Sequence, residues 1–185
     1  MLKRYEDLLA AVRWDGKYHS VRQLITPSQP MVQSIANTLI QKGNFANNCQ
    51  DFVNQFTTYT DELGDYWGTP VETLESQSED CDGKSILLCS LLRNYYPPDK
   101  VFCAVGLWNK GGDDGGHMWV MLNDNKNINR IVESTAGSDH KLYGNYKVLT
   151  LFNDEYALSS EAGIKEFDFI PVPLGVIIPA EKVSP

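Results

Sequence analysis

From Cys81 to Tyr96 the apolar residues Ile86, Leu87, Leu88, Leu91, Leu92 and Tyr95 recur at helical spacing, and Pro97-Pro98 stops the run. The spacing predicts one long helix of about four turns. Such a helix must bury its apolar side against another layer, and the chain that follows offers a sheet. Four apolar, β-rich segments, 101–107, 117–122, 130–135 and 146–152, are separated by the Gly/Asp loop 109–116 and a polar turn at 123–129. Before the long helix, helical spacing is read in 3–14 (Leu2, Leu8, Leu9, Val12 inward), in 30–41 (Val32, Ile35, Ala36, Leu39, Ile40) and in 47–58 (Phe52, Val53, Phe56). Residues 61 to 80 read as irregular. Helices followed by strands predict an α+β fold in which N-terminal helices and the long helix pack on an antiparallel sheet.

A chain of 185 residues suits one domain. The expected division is a helical extension at 1–46, a core at 47–152 and a C-terminal extension at 153–185. The net charge of −8 leaves no basic stripe for phosphates, so nucleic acid is not an expected partner. No apolar run approaches the roughly 20 residues that span a bilayer. The apolar start is interrupted by Glu6, Asp7 and Arg13, unlike a secretory signal, so the cytoplasm is the default expectation, with periplasmic or extracellular sites left open. Cys49, Cys81, Cys89 and Cys103 contain no CxxC pair, and with only His19, His117 and His140 beside them the spacing of a structural zinc site is missing. Cys81 and Cys89 on one helix would lie about 12 Å apart, too far for a disulfide.

Cys81 opens the long helix, where the free N–H groups and the partial positive charge of a helix start favour a thiolate. Asp80 and Asp82 oppose that, so an imidazolium nearby is needed. A core cysteine is seldom bracketed by two carboxylates. His117 stands at the mouth of the apolar strand Met118–Leu122, after Gly115-Gly116, while His19 and His140 lie in polar turns. Glu133 alternates with Ile131 on its strand and so shares that apolar face, where a carboxylate requires a partner. An imidazole N–H on the neighbouring strand would serve. Cys81, His117 and Glu133 thus offer a nucleophile, a base and a group that orients the base. Asp113 or Asp114 is the replacement acid if Glu133 faces away.

The runs Asp65-Tyr66-Trp67-Gly68-Thr69-Pro70-Val71-Glu72 and Glu79-Asp80-Cys81-Asp82-Gly83 resemble the transglutaminase-like cysteine protease superfamily, especially its bacterial and archaeal branch. Gly116-His117-Met118-Trp119-Val120 resembles the histidine strand of that family, and Ile131-Val132-Glu133-Ser134-Thr135 the strand of the triad acid. The resemblance spans about residues 47 to 136. It departs at two positions: Glu79 stands where the family has Gly, and Gly83 where it has an acid. The resemblance implies a papain/transglutaminase-like fold and a Cys81–His117–Glu133 triad that cleaves amides of a peptide or protein through a thioester. It also implies an oxyanion donor from the segment 51–56, Asn54 first and Gln55 second, and a substrate cleft bearing Trp67 and Trp119.

Between Asp61 and Lys84 stand eight acids and one base. They read as a solvated loop, as a site for a cationic substrate, or as ligands for calcium, since hard cations prefer carboxylate oxygens. In one bacterial branch resembled here calcium sits beside the nucleophile, and the matching acids are Asp61, Asp80 and Asp82. Acyl transfer to an amine and a non-catalytic binding module on the same fold are the alternative functions. The intact triad residues weigh against the second.

Overall fold

The computed structural model describes residues 1–61, 64–112, 114–124, 129–136 and 139–176. In chain order the elements are β1 (Lys3–Tyr5), β2 (Asp7–Ala10), β3 (His19–Ser20), α1 (Pro30–Ile40), α2 (Phe45–Phe56), β4 (Thr58–Tyr59), α3 (Pro70–Ser76) and β5 (Ser78–Glu79). Then come α4 (Cys81–Leu92), β6 (Val101–Asn109), β7 (Gly115–Leu122), β8 (Arg130–Val132), β9 (Asn145–Phe152), β10 (Ala157–Ser159), α5 (Glu161–Glu166) and β11 (Ile170–Val172).

Among the described residues the main sheet runs β1-β10-β9-β6-β7-β8, with every adjacent pair antiparallel. Helix α4 starts at Cys81 because the Asp80 side chain caps it, accepting from Asp82 N at 3.0 Å. Every residue from Asp82 to Leu92 is buried. The helix therefore has to be enclosed by other layers: α1, α2 and α3 pack on it together with β6 and β7. Helix α2 lies antiparallel to α4. Its first residue, Phe45, meets Tyr95 and Tyr96 beyond the end of α4, while Thr57 at its other end receives Lys84 Nζ at 2.8 Å.

The expected N-terminal helix is not there. Residues 3–5 and 7–10 are strands, in which Leu8, Ala10 and, just beyond, Val12 alternate inward. Their partners come from the far end of the chain: β1 pairs with β10, and β2 with β11. The leucine spacing fits either period, and pairing with strands about 150 residues away decides between them. The expected helices at 30–41 and 47–58 form as α1 and α2, and the strands at 101–107, 117–122 and 146–152 form as β6, β7 and β9; the strand expected at 130–135 forms only over Arg130–Val132, as β8, and Glu133 lies just beyond it.

Two local devices fix the loop that leads into α3. Thr69 and Glu72 form a reciprocal capping box with Pro70 in the first turn. Arg13 grips the same Glu72 with both guanidinium nitrogens, at 2.7 and 2.6 Å, and donates to Trp67 O at 2.9 Å. Trp67 is thereby tied to the segment after β2, and its own N–H bonds Val12 O.

Strands β6 and β9 shift register between Val105 and Gly106. A Cβ at Gly106 would stand 2.0 Å from Lys147 O and 2.9 Å from the Trp119 ring. Gly106→Ala is therefore expected to destabilise the protein at the upper end of the range of about 1–3 kcal/mol for overpacking, read from denaturant unfolding. An unchanged midpoint would show that the strand pair yields freely there.

Candidate active site

Three segments meet at the N-terminal end of α4. Ser85, one turn beyond Cys81, is buried and donates its hydroxyl to Met118 O at 3.0 Å, and it pairs with Ser134 Oγ at 2.8 Å. Met118 follows His117 and Ser134 follows Glu133, so one buried hydroxyl ties the helix to the strand and turn that carry the imidazole and the carboxylate. Gln50 of α2 adds a donor to Glu133 O at 3.0 Å.

Strand β7 pairs with β8 with Val120 opposite Val132. Glu133 follows Val132, just beyond the end of this ladder. The Glu133 side chain meets the ring: His117 Nε2 lies 3.0 Å from Glu133 Oε2. An ionised carboxylate only accepts, so Nε2 carries the proton and Nδ1 is the free nitrogen. Glu133 Oε1 takes Thr135 N at 3.1 Å and Thr135 Oγ1 at 2.9 Å, and Oε2 also takes Tyr146 Oη at 3.0 Å. Burial by itself would raise the Glu133 carboxyl, but the His117 hydrogen bond and charge and the Thr135 donors outweigh it and hold it below the usual range. The replacement acids are not used in this way. Asp114 is exposed and accepts from Asn109, and Asp113 lies outside the described residues.

Cys81 and His117 line one cavity of about 220 Å³, together with Trp67, Asp80, Asp82 and Phe167. The Met118 main chain hydrogen-bonds the Cys81 sulfur, which favours the anion, but the net direction is the other way. Burial, then Asp80 and Asp82, push the Cys81 thiol well above its ordinary value. The other three cysteines are free and fully buried.

The acids do not gather as the sequence suggests. Oxygens of Glu79, Asp80 and Asp82 lie within 4.8 Å of one another, whereas Asp61 is hydrogen-bonded by Tyr59. Asp82 is 5% exposed, and its Oδ1 has no hydrogen-bond partner among the described residues. Burial, then the neighbouring Asp80 and Glu79, push the Asp82 carboxyl up to about 10. Glu79 was missed by the sequence reading, yet its setting explains both departures of the motif. Its carboxylate fills the space that a side chain at Gly83 would occupy, where a Cβ would meet Glu79 Oε2 at 2.5 Å. Gly68 clears the other side, with Oε1 at 2.2 Å from its Cβ position. Glycines at 68 and 83 leave room for the Glu79 carboxylate.

Of the two expected oxyanion donors, Gln55 is exposed. Asn54 has both amide atoms buried and without a hydrogen-bond partner among the described residues. It lies one turn beyond Gln50, and the antiparallel packing of α2 on α4 directs that turn towards the Cys81 end. Trp67 lines the cavity that holds Cys81 and His117. Trp119 does not: it is fully buried, stacked near His117 and edge-on to Tyr146. His19 and His140, read as residues of polar turns, each pair with an acid, Asp15 and Asp51 respectively. Neither lines the Cys81 cavity.

No family model matches the chain, and no curated protein does. Solved structures of LapG from Legionella pneumophila are similar. The EGTA-treated form superposes with a TM-score of 0.53 at 20% identity, over 71% of this chain and 76% of LapG. The calcium-bound form gives 0.51 at 19% identity, over 75% and 84%. LapG has the transglutaminase-like fold, and so does this chain.

A carboxyl raised on folding adds stability below its unfolded value near pH 4 and forfeits it as the pH climbs towards its folded value, here about 10. At neutral pH Asp82 is thus a cost. Asp82→Asn should raise the melting temperature at pH 7 in a chelator by several degrees, of the order of about 4–8 °C per kcal/mol in small domains and less in larger ones. The gain should vanish near pH 4. A lower melting temperature at pH 7 would show that the charged form is already compensated.

Proposed function

We propose that the chain is a thiol-dependent amide hydrolase acting on a peptide or protein, with Cys81 as nucleophile, His117 as base and Glu133 as the group that orients the base. The observation that carries this reading is the Nε2–Oε2 bond of His117 to Glu133, with the same ring bordering the cavity that holds Cys81. LapG, a cysteine protease, adds support at the level of the fold.

Cys81 Sγ attacks the scissile carbonyl while Nδ1 of His117 takes the thiol proton. The negative charge that develops on the carbonyl oxygen is met by the Cys81 N–H at the helix start and by the Asn54 amide, whose unpartnered donor is otherwise a buried loss of about 1–3 kcal/mol. The imidazolium gives its proton to the departing amine, leaving a thioester on Cys81. A water, deprotonated by His117, then attacks that thioester and releases the acid. Glu133 stays ionised throughout and stabilises the imidazolium. An amine in place of the water would give acyl transfer from the same intermediate.

A divalent cation suits the acids beside the thiol. Glu79, Asp80 and Asp82 offer oxygens close together, and Oδ1 of Asp82, without a hydrogen-bond partner among the described residues, is a hard ligand. When bound, calcium would supply positive charge that offsets Asp80 and Asp82. Asp61, expected from the sequence, is replaced in this set by Glu79. LapG is periplasmic, so the cytoplasmic default has no support. No described helix is long and apolar enough to cross a membrane.

Neutral iodoacetamide should alkylate Cys81 ahead of Cys49, Cys89 and Cys103, and His117→Ala should slow that reaction. Faster labelling of any of the other three would relocate the site. Incubation with a mixed peptide library should release new N-termini, and intact mass after an acid quench should capture the thioester. Cys81→Ala should abolish both. Asn54→Ala should cost about 10²–10³ in turnover with the fold retained, and Glu133→Gln about 10⁴.

Calcium at millimolar concentration should raise the melting temperature of chelator-treated protein, and Asp82→Ala should remove the shift. No shift in the wild type would remove the cation from this account.

A further inference from the structure

The Glu133 carboxylate accepts four hydrogen bonds, two on each oxygen. On Oε1 both come from Thr135, its neighbour in the chain. On Oε2 one comes from His117, and the other comes from Tyr146, on a strand separated from β8 by β6 and β7. Three ladder spacings amount to about 14 Å. The two side chains meet on the face of the sheet that carries His117 and Trp119, both of which lie against the Tyr146 ring. Gly106 has no side chain, and the Trp119 ring lies flat enough to reach within 2.9 Å of where its Cβ would be. The Tyr146 ring stands edge-on to Trp119 with centroids 5.1 Å apart, so its direction is set by packing.

On this side of His117 lies a second cavity of about 230 Å³, lined by Trp108, Lys110, Glu133, Thr135, Tyr143 and Tyr146. At about 30 Å³ per molecule it has room for several waters. Any of them would compete for Oε2.

We infer that Tyr146 is a positioning residue of the site: its hydroxyl fills the second acceptor position of the Glu133 oxygen that receives His117 Nε2, keeping that oxygen directed at the imidazole and away from the water of the neighbouring cavity. The inference rests on the reading of Cys81, His117 and Glu133 given above. Tyr146 acts through Glu133 and touches no reacting atom.

The test uses the full chain and the second-order rate of Cys81 alkylation by iodoacetamide at neutral pH, which requires no knowledge of the substrate. Tyr146→Phe keeps the ring on Trp119 and removes only the hydroxyl. It should slow alkylation about tenfold, the size of one hydrogen bond to a charged group, with little change in melting temperature. In a Glu133→Gln background the same change should have almost no effect, because the carboxylate it supports is gone. A ring needed only for packing would give effects that multiply, and that result would overturn the inference. So would a Tyr146→Phe rate equal to wild type while His117→Ala and Glu133→Gln are slow. If His117→Ala itself alkylates at the wild-type rate, the reading beneath the inference fails and takes the inference with it. Should Tyr146→Phe melt far below wild type, 4-aminophenylalanine at position 146 keeps the ring and puts a neutral N–H donor where the hydroxyl stood. An alkylation rate restored towards wild type would then support the donor's role, and a rate as slow as that of Tyr146→Phe would overturn it.

Discussion

The buried hydroxyl of Ser85 joins the parts of this protein that have to act together. It donates to the Met118 carbonyl, beside His117, and accepts from the Ser134 hydroxyl, beside Glu133, all from a position one turn past Cys81. A buried hydroxyl is expensive unless satisfied, so this arrangement specifies a single packing of α4 against β7 and the turn after β8. The Gln50 amide on the Glu133 carbonyl closes the same unit from the helical side. Because α4 is buried on all its sides, the helix cannot rotate or slide to relieve a misfit, and the imidazole and the thiol keep their relation.

The electrostatics of the site pull against one another. A helix start and the Met118 main chain favour a thiolate, while burial and two flanking carboxylates resist it. At the other end of the imidazole the balance is reversed: Glu133 is buried yet held anionic by four donors. The thiol side is short of positive charge and the carboxylate side is fully compensated. That asymmetry is what a cation beside Asp82, or a cationic group of a substrate, would correct.

The motif around Cys81 was legible in its parts. Asp80 and Cys81 at a helix start, His117 in an apolar strand and Glu133 just past the strand that follows are local facts, each set by neighbours within a few residues. Glu79 was not legible as a member of the site, because its role depends on empty space at Gly68 and Gly83, and space is a property of the fold. Trp119 was misread for a related reason. Alternation put it on the face of His117, but whether that face is open or covered depends on Tyr146 and Trp108, which arrive from other strands. Tyr146 itself carried no local signal beyond a strand position.

What the sequence determined by itself was the order and type of the central elements, because apolar periodicity and the stop at Pro97-Pro98 are both read within a few turns of chain. The N-terminal segment shows where that power ends. Leu8, Ala10 and Val12 suit a strand as well as Leu2, Leu8, Leu9 and Val12 suit a helix, and only pairing with β10 and β11, at the far end of the chain, selects the strand. A strand has no internal hydrogen bonds, so its existence is settled by its partners. The same holds for the site. The sequence supplied the thiol, the imidazole and the carboxylate, and the tertiary structure alone decided their spacing, their donors and which acids stand beside the sulfur.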